Sequence, residues 1–240
     1  MIEIIKSKIR KFFLLSSGQF KYLRITVSVN KKWYGNQYGG FYVCPDLLDQ
    51  NSIVYSFGIG EDVSFDVLMI KNHNCRVFGF DPTPKSINWV KKQSDTLSSN
   101  FIFYEYGIGE KCGIVDFFLP KNNKHVSGSF VIQKYVDDNQ TITVELKSFA
   151  VITDELGHNQ IDVLKMDIEG GEYTVLEGIL NSPIQINQIL VEFHDRFFED
   201  GKLKTINCIN ILHSYGYEIF AISDTFEEIS FIYKDYAKNL

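Results

Sequence analysis

From residue 52 onward, short runs of β-branched and aromatic residues alternate with stretches whose apolar residues recur at helical spacing. The runs are Ser52–Phe57, Cys75–Phe80, Asn100–Tyr106, Ile161–Asp167 and Asn187–Phe193. Such alternation predicts an α/β fold, a parallel sheet covered by helices. Between the runs, Val63, Val67 and Ile70 share one helical face, with Asp62 available as N-cap. Thr83-Pro84 caps and opens a second helix, with Ile87 and Val90 on one side. Tyr173, Leu176 and Leu180 mark a third helix; Leu203, Ile206 and Ile209, near Leu212, mark a fourth. At the C-terminal end, Tyr217–Ser223 and Glu228–Lys234 are joined only by the short link Asp224–Glu227. A parallel crossover needs a dozen or more residues, so this pair must be antiparallel. The sheet is therefore expected to carry one antiparallel strand at its end. Gly113–Leu119 and Thr141–Lys147 are two further strand-like runs. They flank a polar segment, Pro120–Gln140, read as an insertion near the ligand face. Residues 1–50 break the alternation and are read as an N-terminal cap on the same domain as residues 51–240.

Composition narrows the class. The 240 residues are 45% apolar and 22% charged, the balance of a globular domain. Lys and Arg number 24 against 30 Asp and Glu, a net charge of −6. That argues against a nucleic-acid partner, which calls for a basic surface, but leaves a small ligand open. Cys44, Cys75, Cys112 and Cys208 show no metal-like or redox spacing and read as buried apolar residues in a reducing compartment. No apolar run is long enough to span a membrane. Near the N-terminus the apolar core is only Phe12–Leu15, too short for a signal peptide. Ile5, Ile9, Phe12 and Phe13 instead suggest an amphipathic docking helix, and the expected location is cytoplasmic.

The first strand runs into Gly58-Ile59-Gly60-Glu61-Asp62, and a helix follows. Open α/β sheets bind nucleotides at such a strand–glycine turn–helix unit. Gly58 permits the tight turn, and Gly60 permits close backbone approach. The next strand ends at Asp81, about 20 residues on, where a carboxylate can accept hydrogen bonds from ribose hydroxyls. A dinucleotide fingerprint would need a third glycine where Val63 stands. Glu61 and Asp62 would also repel a pyrophosphate, which favours the cationic S-adenosylmethionine over NAD. The bland alternative is that the glycines make a turn and Asp81 caps the helix at Thr83.

These segments resemble the FkbM family of S-adenosylmethionine-dependent methyltransferases. Val54–Asp66 is similar to the family's cofactor loop, Val77–Pro84 to its ribose-binding strand end and Phe103–Phe118 to its third-strand segment. The most specific likeness is IDVLKMDIEGGEYTVLEGI, Ile161–Ile179, followed by Ile189–His194. The resemblance implies a class I, Rossmann-like methyltransferase: seven strands, mostly parallel, the terminal strand antiparallel, helices on both faces. It also implies methyl transfer, commonly to a hydroxyl oxygen, with sugars and other small metabolites among the acceptors. Ser56, Gly58, Gly60, Glu61 and Asp62 would then lie at the methionine end of S-adenosylmethionine. Asp81 and Pro82 would lie at the ribose, Gly107 and Ile108 at the adenine, and Asp167 beside the reacting methyl. Asp62 departs from the family's G-x-G-x-G.

Removing a hydroxyl proton needs a base, and Asp167, Glu169, Glu192 and His194 stand at the strand ends that would face the methyl. His194 is the preferred base by its ordinary pKa, with Asp167 and Glu192 as the other catalytic candidates. Glu169 and Glu172 also suit the first turn of a helix, where the dipole favours negative charge. A divalent metal on Asp167, Glu169 and a neighbour is conceivable but is not predicted. The polar loop Lys124–Ser129 could cover the ligand. Trp33, Tyr34, Tyr38, Phe41 and Tyr42 could stack on a sugar or dock the cap. A non-catalytic S-adenosylmethionine-binding module and an NAD-linked oxidoreductase are the competing functions.

Overall fold

A computed structural model describes residues 20, 22–120, 128, 129, 131 and 136–237. The expected N-terminal helix and Lys124–Ser127 lie outside them.

In chain order the elements begin with a hairpin, β1 (Lys32–Tyr34) and β2 (Phe41–Val43). Next come β3 (Ile53–Phe57), α1 (Ser64–His73), β4 (Arg76–Phe80), α2 (Pro84–Gln93) and β5 (Phe101–Tyr104). Then β6 (Gly107–Ile108), β7 (Gly113–Pro120) and β8 (Val136–Lys147) form a separate three-stranded sheet, ordered β6-β8-β7. The chain continues through α3 (Phe149–Leu156), β9 (Gln160–Met166), α4 (Glu172–Leu180) and β10 (Gln185–Glu192). It ends with α5 (Gly201–Ser214), β11 (Tyr217–Ile222), β12 (Glu228–Tyr233) and α6 (Lys234–Ala237).

The main sheet has seven strands in the order β11-β12-β10-β9-β3-β4-β5. β3, β4, β5, β9 and β10 pair in parallel, and β12 runs antiparallel to both β10 and β11. The antiparallel strand is last in chain order but sits one place in from the sheet edge. Chain order reverses direction at β3, so its carboxyl end, beside β9, is the crevice where open sheets hold ligands.

Strand alternation sends successive residues to opposite faces. Val54, Val77, Val163 and Leu190 join Phe65 and Met69 of α1 and Phe41 and Val43 of β2 on one face. Tyr55, Phe78, Leu164 and Ile189 face α3, α4 and α5 on the other. The hairpin is stapled to the sheet by buried Gln188, whose amide accepts from Cys44 N–H at 2.7 Å and donates to Cys44 C=O at 3.0 Å. Thr83 caps α2, accepting from Ser86 N–H, with Pro84 opening the helix.

Several expectations need correction. Val67 is exposed, and α1 buries Phe65, Asp66 and Met69 instead. Leu203 is 58% exposed, because α5 turns Thr205, Cys208, Ile209 and Leu212 inward. In both helices the apolar spacing fits two overlapping stripes, and docking on the sheet selects between them. Strand β8 starts at Val136, inside the segment read as a polar loop, because it pairs with β7 as far as Pro120. Cys112 is exposed, whereas Cys44, Cys75 and Cys208 are buried.

Candidate functional site

A cleft opens at the carboxyl ends of β3, β4 and β9. Its walls are Phe57–Gly60, Phe80–Thr83, Gly107, Ile108 and Asp167–Glu169, with Phe117 and Leu146 of the small sheet and Gly128 of the loop after β7 closing one side. It is an open cleft of about 680 Å³, solvent at its mouth included.

The glycine turn has the geometry that only glycine adopts freely. Gly58 and Gly60 have φ of +84° and +57°. A Cβ on Gly58 would lie 1.7 Å from the Asp167 carbonyl oxygen, so β3 and β9 converge here to backbone contact. Charged groups pin the turn from two sides. Lys165 Nζ donates to the Gly58 carbonyl at 2.8 Å, and Ile59 and Gly60 N–H donate to Asp81 Oδ2 at 3.0 and 2.8 Å. Asp81 Oδ1 accepts from Thr83 N–H at 2.9 Å and from its hydroxyl at 2.6 Å. Asp81 therefore faces the cleft while ordering both loops that line it.

Not every expected residue reaches the cleft. Gly58, Gly60, Asp81, Pro82, Gly107, Ile108 and Asp167 line it. Ser56 is buried beneath the turn, Glu61 pairs with Lys85 at 3.3 Å, and Asp62 accepts from Asn36 Nδ2 at 2.6 Å. None of these three is part of the lining. Repulsion of a pyrophosphate by Glu61 and Asp62 thus loses its geometric basis. Tyr34 and Phe41 are buried in the core, Tyr38 is 80% exposed, and no aromatic of that segment lines the cleft. Tyr34 and Phe41, with Tyr42 beside them, share hydrophobic surface with the sheet and dock the hairpin on it.

Asp167 and Glu169 of the lining converge, with Glu192 and Glu172 behind them, on one imidazole; Glu192 and His194 are themselves not part of the lining. His194 is 1% exposed; its Nε2 lies 3.3 Å from Glu169, 3.4 Å from Glu192 and 3.8 Å from Asp167. Its backbone N–H donates to Glu172 Oε1 at 2.9 Å, and its Nδ1 lies 3.1 Å from the same oxygen. The other Glu172 oxygen accepts from Gly170 N–H, so this buried glutamate ties the turn after β9 to the end of β10. Glu169 takes a left-handed φ of +54°, strain of the kind found at functional sites. Burial opposes a charged ring, but Glu172, Glu192 and Glu169 outweigh it and hold the His194 pKa well above its ordinary value. Burial, reinforced by the Asp167 charge, pushes the Glu192 carboxyl up to about 7.

Asp167, Glu192 and His194 place one potential ligand atom each within 4.8 Å of one another.

Residues 47–219 match the model of a family described as the methyltransferase FkbM domain. The chain belongs to this family. Its FkbM domain carries the class I methyltransferase sheet, with β12 as the reversed strand. The human "Probable methyltransferase-like protein 24" is 26% identical over 156 residues, 64% of this chain and 36% of that protein. The rat protein of that name is 28% identical over 143 residues, 59% and 32% of the two chains. This chain spans about a third of the length of these curated relatives. Among solved structures, an rRNA methylase from Streptococcus thermophilus gives a TM-score of 0.42 at 10% identity, covering 78% of this chain and 87% of that one. The fibrillarin pre-rRNA processing protein of Methanococcus jannaschii gives 0.44 at 12%, covering 78% and 68%. No helix among the described residues is long and apolar enough to cross a membrane.

Two residues that hold the FkbM site together escape a reading of the sequence. Glu172 reads as a helix-dipole partner, because its contact with His194 spans 22 residues of chain. Lys165 carries a weak signal, the one cation of a mainly apolar strand, but its partner Gly58 is 107 residues away.

Proposed function

We propose that this protein transfers the methyl group of S-adenosylmethionine to a hydroxyl of a small molecule or glycan. The observation that carries the reading is the pinned glycine turn, lying against Asp167 where the carboxylate cluster opens on the cleft. Family membership supports methyl transfer in general; the acceptor class is our inference. Bound S-adenosylmethionine supplies an activated methyl on a sulfonium. The chain's own residues must then orient the acceptor, exclude water and take up a proton. Gly58 and Gly60 would cradle the methionine end, Asp81 and Pro82 would flank the ribose, and Gly107 and Ile108 would flank the adenine.

For the base we choose Glu192 over His194, reversing the expectation from ordinary pKa values. An imidazolium held charged by its neighbours has no free lone pair. A carboxylate with a pKa of about 7 is poised to accept a proton near neutrality. His194 then serves as the counter-charge that fixes Asp167, Glu169 and Glu192. So acidic a mouth, on a chain of net charge −6, suits a neutral or cationic acceptor better than a polyanionic nucleic acid. Because β2 supplies Phe41 and Val43 to the core, we assign the described residues 22–50 to the same domain as the rest.

The test is calorimetric titration with S-adenosylmethionine, its spent thioether and NAD, followed by a screen of glycans and small alcohols with labelled cofactor. Binding of the first two, and a product heavier by one methyl, supports the proposal. Binding of NAD alone, or of none of the three, overturns it. Cofactor binding without methylation of any acceptor favours the non-catalytic binding module.

A further inference from the structure

Burying a lysine costs several kcal/mol unless its charge is used, and an aliphatic residue would fill the same space more cheaply. Lys165 is only 5% exposed, on the sheet face covered by α1 and the N-terminal hairpin. Its register partner on β3 is Ser56. Asp66, in the first turn of α1, is fully buried; burial pushes its carboxyl up and the Lys165 charge pulls it back. The Phe41 ring lies 5.7 Å from Nζ. Among the described residues, Nζ donates one hydrogen bond, at 2.8 Å, to the carbonyl of Gly58.

That carbonyl belongs to a residue held in the left-handed region, the first of the glycine turn. Its direction fixes how the next two peptide units face the cleft. Asp81 holds those peptides from above through Ile59 and Gly60 N–H, and Lys165 holds the turn from below. We infer that Lys165 is a positioning residue for the cofactor: through its hydrogen bond to the Gly58 carbonyl it sets the Gly58–Gly60 turn in the conformation that accepts the methionine end of S-adenosylmethionine. This inference rests on the cofactor assignment above. Lys165 lies outside the cleft lining, so it acts through the turn and not by touching ligand.

Lys165→Met alone would strand Asp66 in the core and could unfold the chain. The informative variant is Lys165→Met/Asp66→Asn, which removes both charges together. Wild type, the double variant and Lys165→Arg are compared by thermal melting without ligand and by calorimetric titration with S-adenosylmethionine and its thioether. The double variant should melt near wild type and bind both compounds about tenfold or more weakly, the loss expected when a charge-assisted hydrogen bond that orders the site is removed. Lys165→Arg keeps a donor and should recover most of that affinity. Wild-type affinity in a folded double variant would overturn the positioning role. So would affinity lost equally in Lys165→Arg at an unchanged melting temperature. If the double variant does not fold, the Lys165→Arg affinity decides alone, and a loss there counts against the inference. Failure of wild type to bind either compound is seen first and removes the cofactor assignment itself.

Discussion

Two glycines with left-handed backbone, Gly58 and Gly157, differ in what a side chain would meet. At Gly157, the C-cap of α3, φ is +67° and nothing lies within 4 Å of an added Cβ. Alanine there costs only the left-handed backbone, about 1–2 kcal/mol. At Gly58 the same backbone cost applies, and the added Cβ sits 1.7 Å from the Asp167 carbonyl oxygen, where real Cβ atoms keep at least 3.0 Å. The ends of β3 and β9 must separate by more than an ångström. That movement strains Asp167 N–H to Phe57 C=O, at 3.0 Å, and Lys165 Nζ to Gly58 C=O, at 2.8 Å. At about 1 kcal/mol each, with the backbone cost, Gly58→Ala should lose roughly 3–4 kcal/mol and its cofactor affinity. Gly113 completes the set: φ is not left-handed and nothing lies within 4 Å, so Gly113→Ala should be neutral or stabilise by up to about 1 kcal/mol. Urea unfolding at equal m-value, with calorimetric titration of S-adenosylmethionine, ranks the three. Equal losses for Gly58→Ala and Gly157→Ala, with wild-type affinity in the former, would refute the close approach that shapes the cleft.

Further outcomes follow from the carboxylate cluster and the thiols. If Glu192 takes the acceptor's proton, kcat/KM rises with pH through about 7 as that carboxyl ionises, and Glu192→Gln lowers turnover and abolishes the rise. The same shift has a stability signature. A carboxyl raised to about 7 in the folded protein favours folding below its unfolded pKa, and that contribution is lost as pH rises through 7. Relative to wild type, Glu192→Gln should therefore gain stability from pH 6 to pH 8; denaturant midpoints that move together at both pH values would count against it. His194→Ala removes the cation shared by Glu169, Glu172 and Glu192 and should cost about 3–5 kcal/mol, as for any broken buried pair. His194→Ala should also move the rise in kcat/KM to higher pH, whereas a role as base would remove it. Native protein should titrate one fast thiol, at Cys112, and release the other three only in denaturant.

The sequence alone determined the layers of this protein, because that information is local. Period-two and period-3.6 patterns mark strands and helices, a short link forces the C-terminal strands antiparallel, and Thr83-Pro84 opens a helix by its own chemistry. The glycine turn was legible for the same reason: left-handed backbone at Gly58 and Gly60 leaves its mark in residue type. Which stripe of α1 or α5 turns inward was decided only by docking on the sheet. Tertiary structure alone also decided that Ser56, Glu61 and Asp62 lie outside the cleft, and that His194 sits among carboxylates from three segments. Lys165 and Gly58 are 107 residues apart, and Glu172 and His194 are 22 apart. Ionisation depends on burial and on neighbours a few ångströms away, and no sequence pattern encodes such proximity.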